Sequence, residues 1–439
     1  MTALRFFAII LIFGAACLAW MILGGTIEFR TRDLTQSLSQ EVSARWGPPG
    51  LVQSAPSVLG SGGGVAADPL KSTIEVHFDQ ADRYMGLIWF STYTVDFSGT
   101  YLVSGSGKYP PYTFVFDLPD AATGFENLTV TVDEQPLDMA TAKAGNKISV
   151  PLPQDDRTHA ITVAYRTQAR DRWLYDLSRS RDALGAPIGR LGSGTGEIVE
   201  TGPTAMIRNF TLTATTNFTA IDYPKGTVSP TPRPAEIAGG GATAVWHFEN
   251  RNTRERIGIE MPARVNAGPL AARMAFYAPV SLFFFFTVMF TIVALKKIPL
   301  HPMHYLFIAA GFFSFHILMA YLVDKIGIHE TFWICAAVSV LLVTSYMRLV
   351  AGMKFAVLYA GAAQLVYLIG FSYAFFWTGW TGLTIVIVAI ITLFVLMQAT
   401  GRVNWNEVFA AKPPKHFAPR PAGPAPTPPA AGPPPPAKG

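Results

Sequence analysis

The chain has 439 residues, half of them apolar, 14% charged, with a formal net charge of +5. Its apolar residues gather into long runs near both ends, a membrane protein's distribution, which excludes an ordinary soluble globule of this length. The basic residues form no dense cluster interleaved with aromatics, which argues against nucleic acid as a partner.

The first run, Phe6 to Leu23, follows a single Arg5 and approaches the length needed to cross the hydrocarbon core. It reads as a retained anchor rather than a cleaved signal, because it is longer than a signal core and no clean small-x-small site follows a short one. Ala15-Ala16-Cys17 partly resembles a lipidation site. The apolar run continues past it, however, and Gly14 stands where a larger aliphatic residue is usual, so Cys17 reads as a lipid-facing or packed thiol. The second cysteine, Cys335, also lies in an apolar run, so the exported region has no disulfide to make.

From Glu28 to Trp46, Leu34, Leu38 and Val42 recur every four residues and predict a helical stalk. Gly47 to Asp68, with Pro48-Pro49 and Gly60 to Gly64, reads as a loop or linker. Between Ser72 and Pro262 short alternating segments predict strands: Ser72 to Phe78, Ser91 to Phe97, Thr113 to Leu118, Leu128 to Val132, Ala160 to Tyr165, Phe210 to Thr216 and Val245 to Glu249. Such strands at short spacing predict a β-rich, sandwich-like or related antiparallel domain. Arg166 to Gly196, rich in Arg, Asp and Gly, reads as an exposed insertion.

Five further runs of spanning length follow: Arg273 to Leu295, Met303 to Val323, Thr331 to Val350, Phe355 to Phe376 and Trp380 to Ala399. The expected organisation is an N-terminal transmembrane anchor over 1–27, a stalk and linker over 28–70, a periplasmic β-rich domain over 71–270, a five-helix transmembrane bundle over 271–402 and a tail over 403–439. The tail from Lys412 is Pro- and Ala-rich, cannot bury apolar area and is expected to be disordered, a plain tail rather than a docking peptide despite PxxP spacing at Pro421 to Pro424. With Arg5 inside, Lys296, Lys297, Arg348, Lys354, Arg402, Lys412, Lys415 and Arg420 all fall on one side, leaving Asp324 and Lys325 outside. Both termini are therefore expected in the cytoplasm, with the lipid bilayer as the first partner.

Polar residues inside spans are candidates because each costs free energy to desolvate. His316, with Ser314 nearby, reads as a proton relay or ligand contact, or equally as a neutral histidine bonded to a neighbouring helix. Gln364 and Gln398 read as side chains that join helices by hydrogen bonds. His301 and His304 sit three apart near the membrane interface, the minimum for a metal pair, but no further ligand is close in sequence and no metal or other cofactor is expected. Trp377, Trp380 and Trp405 read as interfacial anchors. No GxSxG, SxxK, HExxH or phosphate-cradling loop is found, and Glu126, Asp155 and Asp156 read as scattered surface charges. The residues give no argument for an enzyme.

The chain resembles the CreD family of bacterial inner-membrane proteins. The motifs are Gly268-Pro269-Leu270-Ala271-Ala272-Arg273, Phe276 to Ser281, Leu300-His301-Pro302-Met303-His304-Tyr305 and Thr400 to Trp405, with looser similarity at Ala44-Arg45-Trp46-Gly47, Arg83-Tyr84-Met85-Gly86 and Ser98 to Tyr101. The resemblance implies an inner-membrane location and an association with colicin tolerance and with envelope or β-lactam responses, and it supplies no catalytic residue. The leading expectation is thus a non-enzymatic protein supporting envelope integrity or stress response, its periplasmic domain meeting a periplasmic or envelope protein partner. The alternative is a transporter or channel whose bundle moves a small solute and whose outer domain captures it.

Overall fold

The computed structural model describes residues 3–86, 88–106, 110–119, 124–178, 204–296, 298–377 and 379–401. They form two compact units: one of residues 1–20, 277–315 and 336–439, the other of residues 21–276 and 316–335.

The first helix, α1, runs unbroken from Ala3 to Trp46, so the anchor and the stalk are one element. It is followed by strands that the linker reading missed: β1 (Pro49–Ser54), β2 (Ser57–Leu59) and β3 (Val65–Ala67). The Pro and Gly residues there are local exceptions rather than breaks. Gly50 takes a positive φ of 114°, and Leu51 beyond it is fully buried.

A long hairpin of β4 (Lys71–Met85) and β5 (Ile88–Ser104) forms the spine of the larger sheet. Ile74, Val76 and Phe78 on one strand, and Val95, Phe97, Tyr101 and Val103 on the other, are buried at period two, as a strand with one face on a core requires. After β6 (Thr113–Asp117), β7 (Glu126–Val132), β8 (Gln135–Pro136), a four-residue helix α2 (Met139–Ala142), β9 (Lys143–Ala144) and β10 (Lys147–Pro151) comes the longest strand, β11 (Thr158–Asp176). Then follow β12 (Ala205–Thr216), β13 (Ala235–Ile237), β14 (Gly241–Thr253) and β15 (Arg256–Glu260). The larger sheet has the order β13-β14-β12-β4-β5-β11-β7-β8, with β1 and β15 added on β11, and the smaller has the order β3-β2-β6-β10-β9.

All seven predicted strands are present, but their arrangement is mixed rather than purely antiparallel. β12 runs parallel to β4, and β1 runs parallel to the end of β11. Alternation shows which face of a strand is buried and nothing about its partner's direction, so this was outside the sequence's reach.

The supposed insertion from Arg166 is corrected as well. Residues up to Asp176 belong to β11, and Trp173, Leu174 and Tyr175 are buried to within 1% exposure. Charge disguised this strand. Arg166 faces solvent and pairs in a fork with Asp96 on β5 at 2.6 and 2.8 Å, which holds the Asp96 carboxyl below its ordinary value. Asp171 takes a positive φ of 66°. Before it β11 pairs with β5, and with β7 as far as Arg166; from Arg172 it pairs with β15, and β1, which meets it first at Arg170, runs along the same end. The irregular residue is the point where the strand exchanges neighbours. Residues 179–203 lie outside the described residues.

The two sheets share one core. Phe97 and Tyr101 of β5 meet Phe116 and Phe114 of β6 at ring distances of 5.9 and 5.8 Å, the interdigitation of a sandwich-like domain. Polar groups inside this core are bonded across it: Tyr165 Oη donates to Gln53 Oε1 at 2.6 Å, and Gln53 Nε2 to the Asp117 carbonyl at 3.0 Å. A buried ion pair, Arg256 Nε to Asp176 Oδ2 at 2.9 Å, fastens β15 to β11.

Five long helices follow the strands: α3 (Ala267–Leu295), α4 (Pro302–Leu322), α5 (Ile328–Ala351), α6 (Met353–Phe376) and α7 (Thr381–Thr400). With α1 they make six helices, among the described residues, long and apolar enough to cross a membrane. A Cβ on Gly311 of α4 would lie 2.5 Å from Val343 Cγ2 on α5, so the glycine is what lets these helices approach. Helix α6 is irregular, with π turns at Ala356–Gly361 and Leu365–Gly370. The tail from Arg402, together with Lys297 and Trp405, lies outside the described residues.

Candidate functional site

The stalk part of α1 is built into the β-domain. Its Val42 is buried with Ile88 and Phe90 of β5, and Leu38, Trp46 and Met85 pack against them. The tip of the β4–β5 hairpin turns through Gly86 at φ 62°, where a Cβ would stand 2.8 Å from Leu38 Cδ1. Arg83 stacks on Trp46 with its guanidinium carbon 4.3 Å from the ring centroid.

Arg170, 2% exposed, reaches the stalk from β11: it donates to Ser39 Oγ at 2.8 Å and lies 5.2 Å over Phe90. Burial pushes its guanidinium below the ordinary value, and the neighbouring Asp171 charge works the other way. Below Trp46 the chain turns at Gly47, φ 96°, whose amide caps the helix on the Ser43 carbonyl at 3.1 Å. A Cβ here would lie 2.3 Å from the Gln168 carbonyl oxygen, so only glycine passes between helix end and sheet.

The same unit contains the end of α1's apolar stretch. Gly24 stands against Phe276 of α3 and Gly268 against Thr31, positions where a Cβ would lie 2.9 and 2.3 Å from those side chains. Next to Thr31, Arg30 reaches the end of α4 and the loop to α5, donating to the Ala320 carbonyl at 2.8 Å and to Asp324 Oδ2 at 2.7 Å. In sequence each of these charges reads separately, as a residue flanking an apolar run, with nothing to say that two distant segments supply one pair.

Of the intramembrane candidates, His316 is buried in α4 at 3% exposure. Gln364 and Gln398 both belong to the other unit and do not meet: Gln364 is fully buried, whereas Gln398 is exposed near the end of α7. Gln364 sits between the two π turns of α6. Its Nε2 donates to Ser339 Oγ on α5 at 2.8 Å, and Ser339 donates to the Gly311 carbonyl of α4 at 2.6 Å. Because the serine hydrogen is already committed, the amide must present its NH2 side, and Oε1 is left without a partner among the described residues. Three helices are thus joined by a chain that ends in an unsatisfied acceptor.

Replacing Ser339 by alanine leaves both ends of that amide unpaired and is expected to lower bundle stability by about 1–3 kcal/mol. Adding Gln364→Leu should restore most of it, read as melting temperature of the purified chain in detergent. Equal losses in the single and double variants would show that the hydrogen-bonded chain does not hold these helices together.

His301 and His304 do not converge. His301 Nδ1 accepts from the Met303 amide at 3.3 Å, while His304 Nδ1 bonds the Tyr346 hydroxyl at 2.7 Å. Among the described residues no three His, Cys, Asp or Glu side chains form a group able to hold a metal. Trp377 and Trp380 stand at the turn between α6 and α7, exposed at 56% and 64%.

Residues 241–406 match the family model described as Inner membrane protein CreD. The CreD match spans β14, β15 and all five helices from α3, where the sequence resemblance was densest, and with six helices of spanning length it makes the chain a multi-pass membrane protein. No curated protein matches the chain. Among solved structures, Legionella pneumophila aminopeptidase A in complex with aspartic acid aligns at 8% identity over 46% of this chain and 23% of its own, with a TM-score of 0.24. That likeness carries no argument about fold or activity.

Proposed function

We propose that this chain is a non-enzymatic inner-membrane protein that supports envelope integrity or stress response by presenting its β-domain, on the outer side, to an envelope protein. The observation that carries this reading is the docking of the stalk. Leu38, Val42 and Trp46 of α1 are packed into the β-domain, and Arg170 is buried against Ser39, so the stalk and the domain form one structural piece. A solute-capture module on a loose linker would need none of this. The CreD match supports the membrane setting, and the one-sided Lys and Arg of the short loops support cytoplasmic termini.

Deleting the protein is expected to raise sensitivity to detergent or β-lactam, or to alter colicin sensitivity, with recovery by the intact chain. Unchanged sensitivity to all three would remove the proposal. The free Gln364 acceptor between two π turns favours a second reading, a bundle that passes a small solute. Proteoliposome flux that Gln364→Leu leaves unaltered would count against it.

A further inference from the structure

His159 lies near the start of β11, 7% exposed, between two carboxylates. Its Nδ1 is 2.7 Å from Asp133 Oδ2 and its Nε2 is 2.9 Å from Asp155 Oδ1. A neutral imidazole has one N–H and one lone pair, and a lone pair facing a carboxylate oxygen at this distance is repulsive. Both contacts are satisfied together only by the imidazolium, which donates from both nitrogens.

The two carboxylates come from separate pieces of chain. Asp133 occupies the turn between β7 and β8, where it and Glu134 take positive φ values of 48° and 66°, the geometry of a tight hairpin turn. It is held independently of the histidine, since its Oδ1 accepts from the Ala160 amide at 2.8 Å and its own amide donates to the Ala160 carbonyl at 2.9 Å. Asp155 belongs to the loop from β10 to β11, and among the described residues its carboxylate otherwise accepts only from the Arg157 amide in the same loop, at 3.2 Å. The loop lies flat on the end of β5: a Cβ on Gly105 would stand 1.9 Å from the Pro153 carbonyl oxygen. The charged groups facing His159 are therefore Asp133 from the hairpin and Asp155 from the loop, with Arg157 beside Asp155. The β5 residue paired with His159 is Val103, which carries no charge.

We propose that His159 is a pH-operated clip, fastening the β10–β11 loop to the β7–β8 hairpin when protonated and releasing the loop when it loses a proton. The asymmetry of the anchors decides which side lets go. Asp133 keeps two backbone bonds, so the surviving N–H stays with it and Asp155 is freed.

The sign follows from the same contacts. Donating hydrogen bonds to Asp133 and then to Asp155 raises the imidazole above its ordinary 6.5, and accepting them lowers both carboxyls below 3.8. The histidine's contribution is full below 6.5 and is lost as pH rises through its elevated folded value; the carboxylates' contribution is lost only as pH falls through their depressed folded values. A mildly acidic surrounding therefore closes the clip and an alkaline one opens it. The proposal rests on the β-domain alone and stands or falls independently of the envelope reading.

The test is hydrogen–deuterium exchange of the full chain in detergent, from about pH 5.5 to about pH 9, corrected for intrinsic exchange and read on peptides covering 152–160 and 128–137. The loop peptide is expected to lose protection at least about tenfold through a single-proton step, while the hairpin peptide changes little. Asp155→Asn should abolish the step in the loop and spare the hairpin; His159→Gln should give the open-loop rate at every pH. Near-ultraviolet dichroism equal to wild type establishes that these variants fold. Flat protection in the wild-type loop across the range, or a step that survives in folded Asp155→Asn or His159→Gln, overturns the proposal.

Discussion

Gly47→Ala is expected to detach the stalk from the β-domain, at a cost on the order of 3 kcal/mol to that junction. The added methyl meets two obstacles. The φ of 96° is one that residues with a Cβ rarely adopt, and the Gln168 carbonyl oxygen, 2.3 Å away, is backbone in the middle of β11 and cannot swing aside. Moving the turn also pulls Pro48, whose carbonyl accepts from the Arg170 amide at 2.9 Å, and so disturbs the residue that pins Ser39. Limited proteolysis around Trp46 should become rapid while the β-domain keeps its own melting transition. A variant as resistant as wild type would show that the junction tolerates a Cβ.

Trp173→Ala should lower the stability of the β-domain by about 3–5 kcal/mol. Its ring is fully buried and lies 5.4 Å from Phe78 and 6.2 Å from Tyr175 between their centroids, so removal opens a large cavity that the hydrogen-bonded strands around it cannot collapse to fill. Trp173→Phe should cost far less, because the indole N–H is buried without an acceptor among the described residues and its loss leaves no group newly unpaired. Thermal melting followed by tryptophan-independent far-ultraviolet dichroism reads both. The comparison is sharp because Trp173 falls in the stretch that reads from sequence as an exposed insertion: as surface, neither change would matter.

The legible parts of this chain were those carried by period and length. The six spans, the stalk helix and seven strands follow from apolar runs, a four-residue recurrence and alternation, and each of these predicted segments lies within an element of the structure or overlaps one closely. What was not legible depends on pairing across distance. Arg166, Arg170, Asp171 and Arg172 look like a charged loop, yet Arg166 is neutralised by Asp96, Arg170 is buried under the stalk, and Asp171 marks a change of neighbour. Gly47 to Asp68 looks unable to hold structure, yet its strands are short enough for glycines and prolines to stand at or near their ends. Of the site residues, Gln364 stood out because an amide within an apolar span is costly to bury unless it bonds a neighbouring helix. His159 was missed because its two carboxylates come from a hairpin turn and a loop, and Asp155 beside Asp156 reads as ordinary surface charge.

The most direct test of the central claim, that stalk and β-domain are one piece, is a pulsed electron-resonance distance measurement between spin labels at Gln36 on the stalk and Glu249 on β14, both exposed. The labels would be placed in a chain whose Cys17 and Cys335 have been replaced by alanine, reconstituted in nanodiscs. A single narrow distance distribution, broadened by Gly47→Ala, is the predicted result. A broad distribution in the otherwise unaltered chain would show the domain swinging freely on its stalk and would contradict that claim.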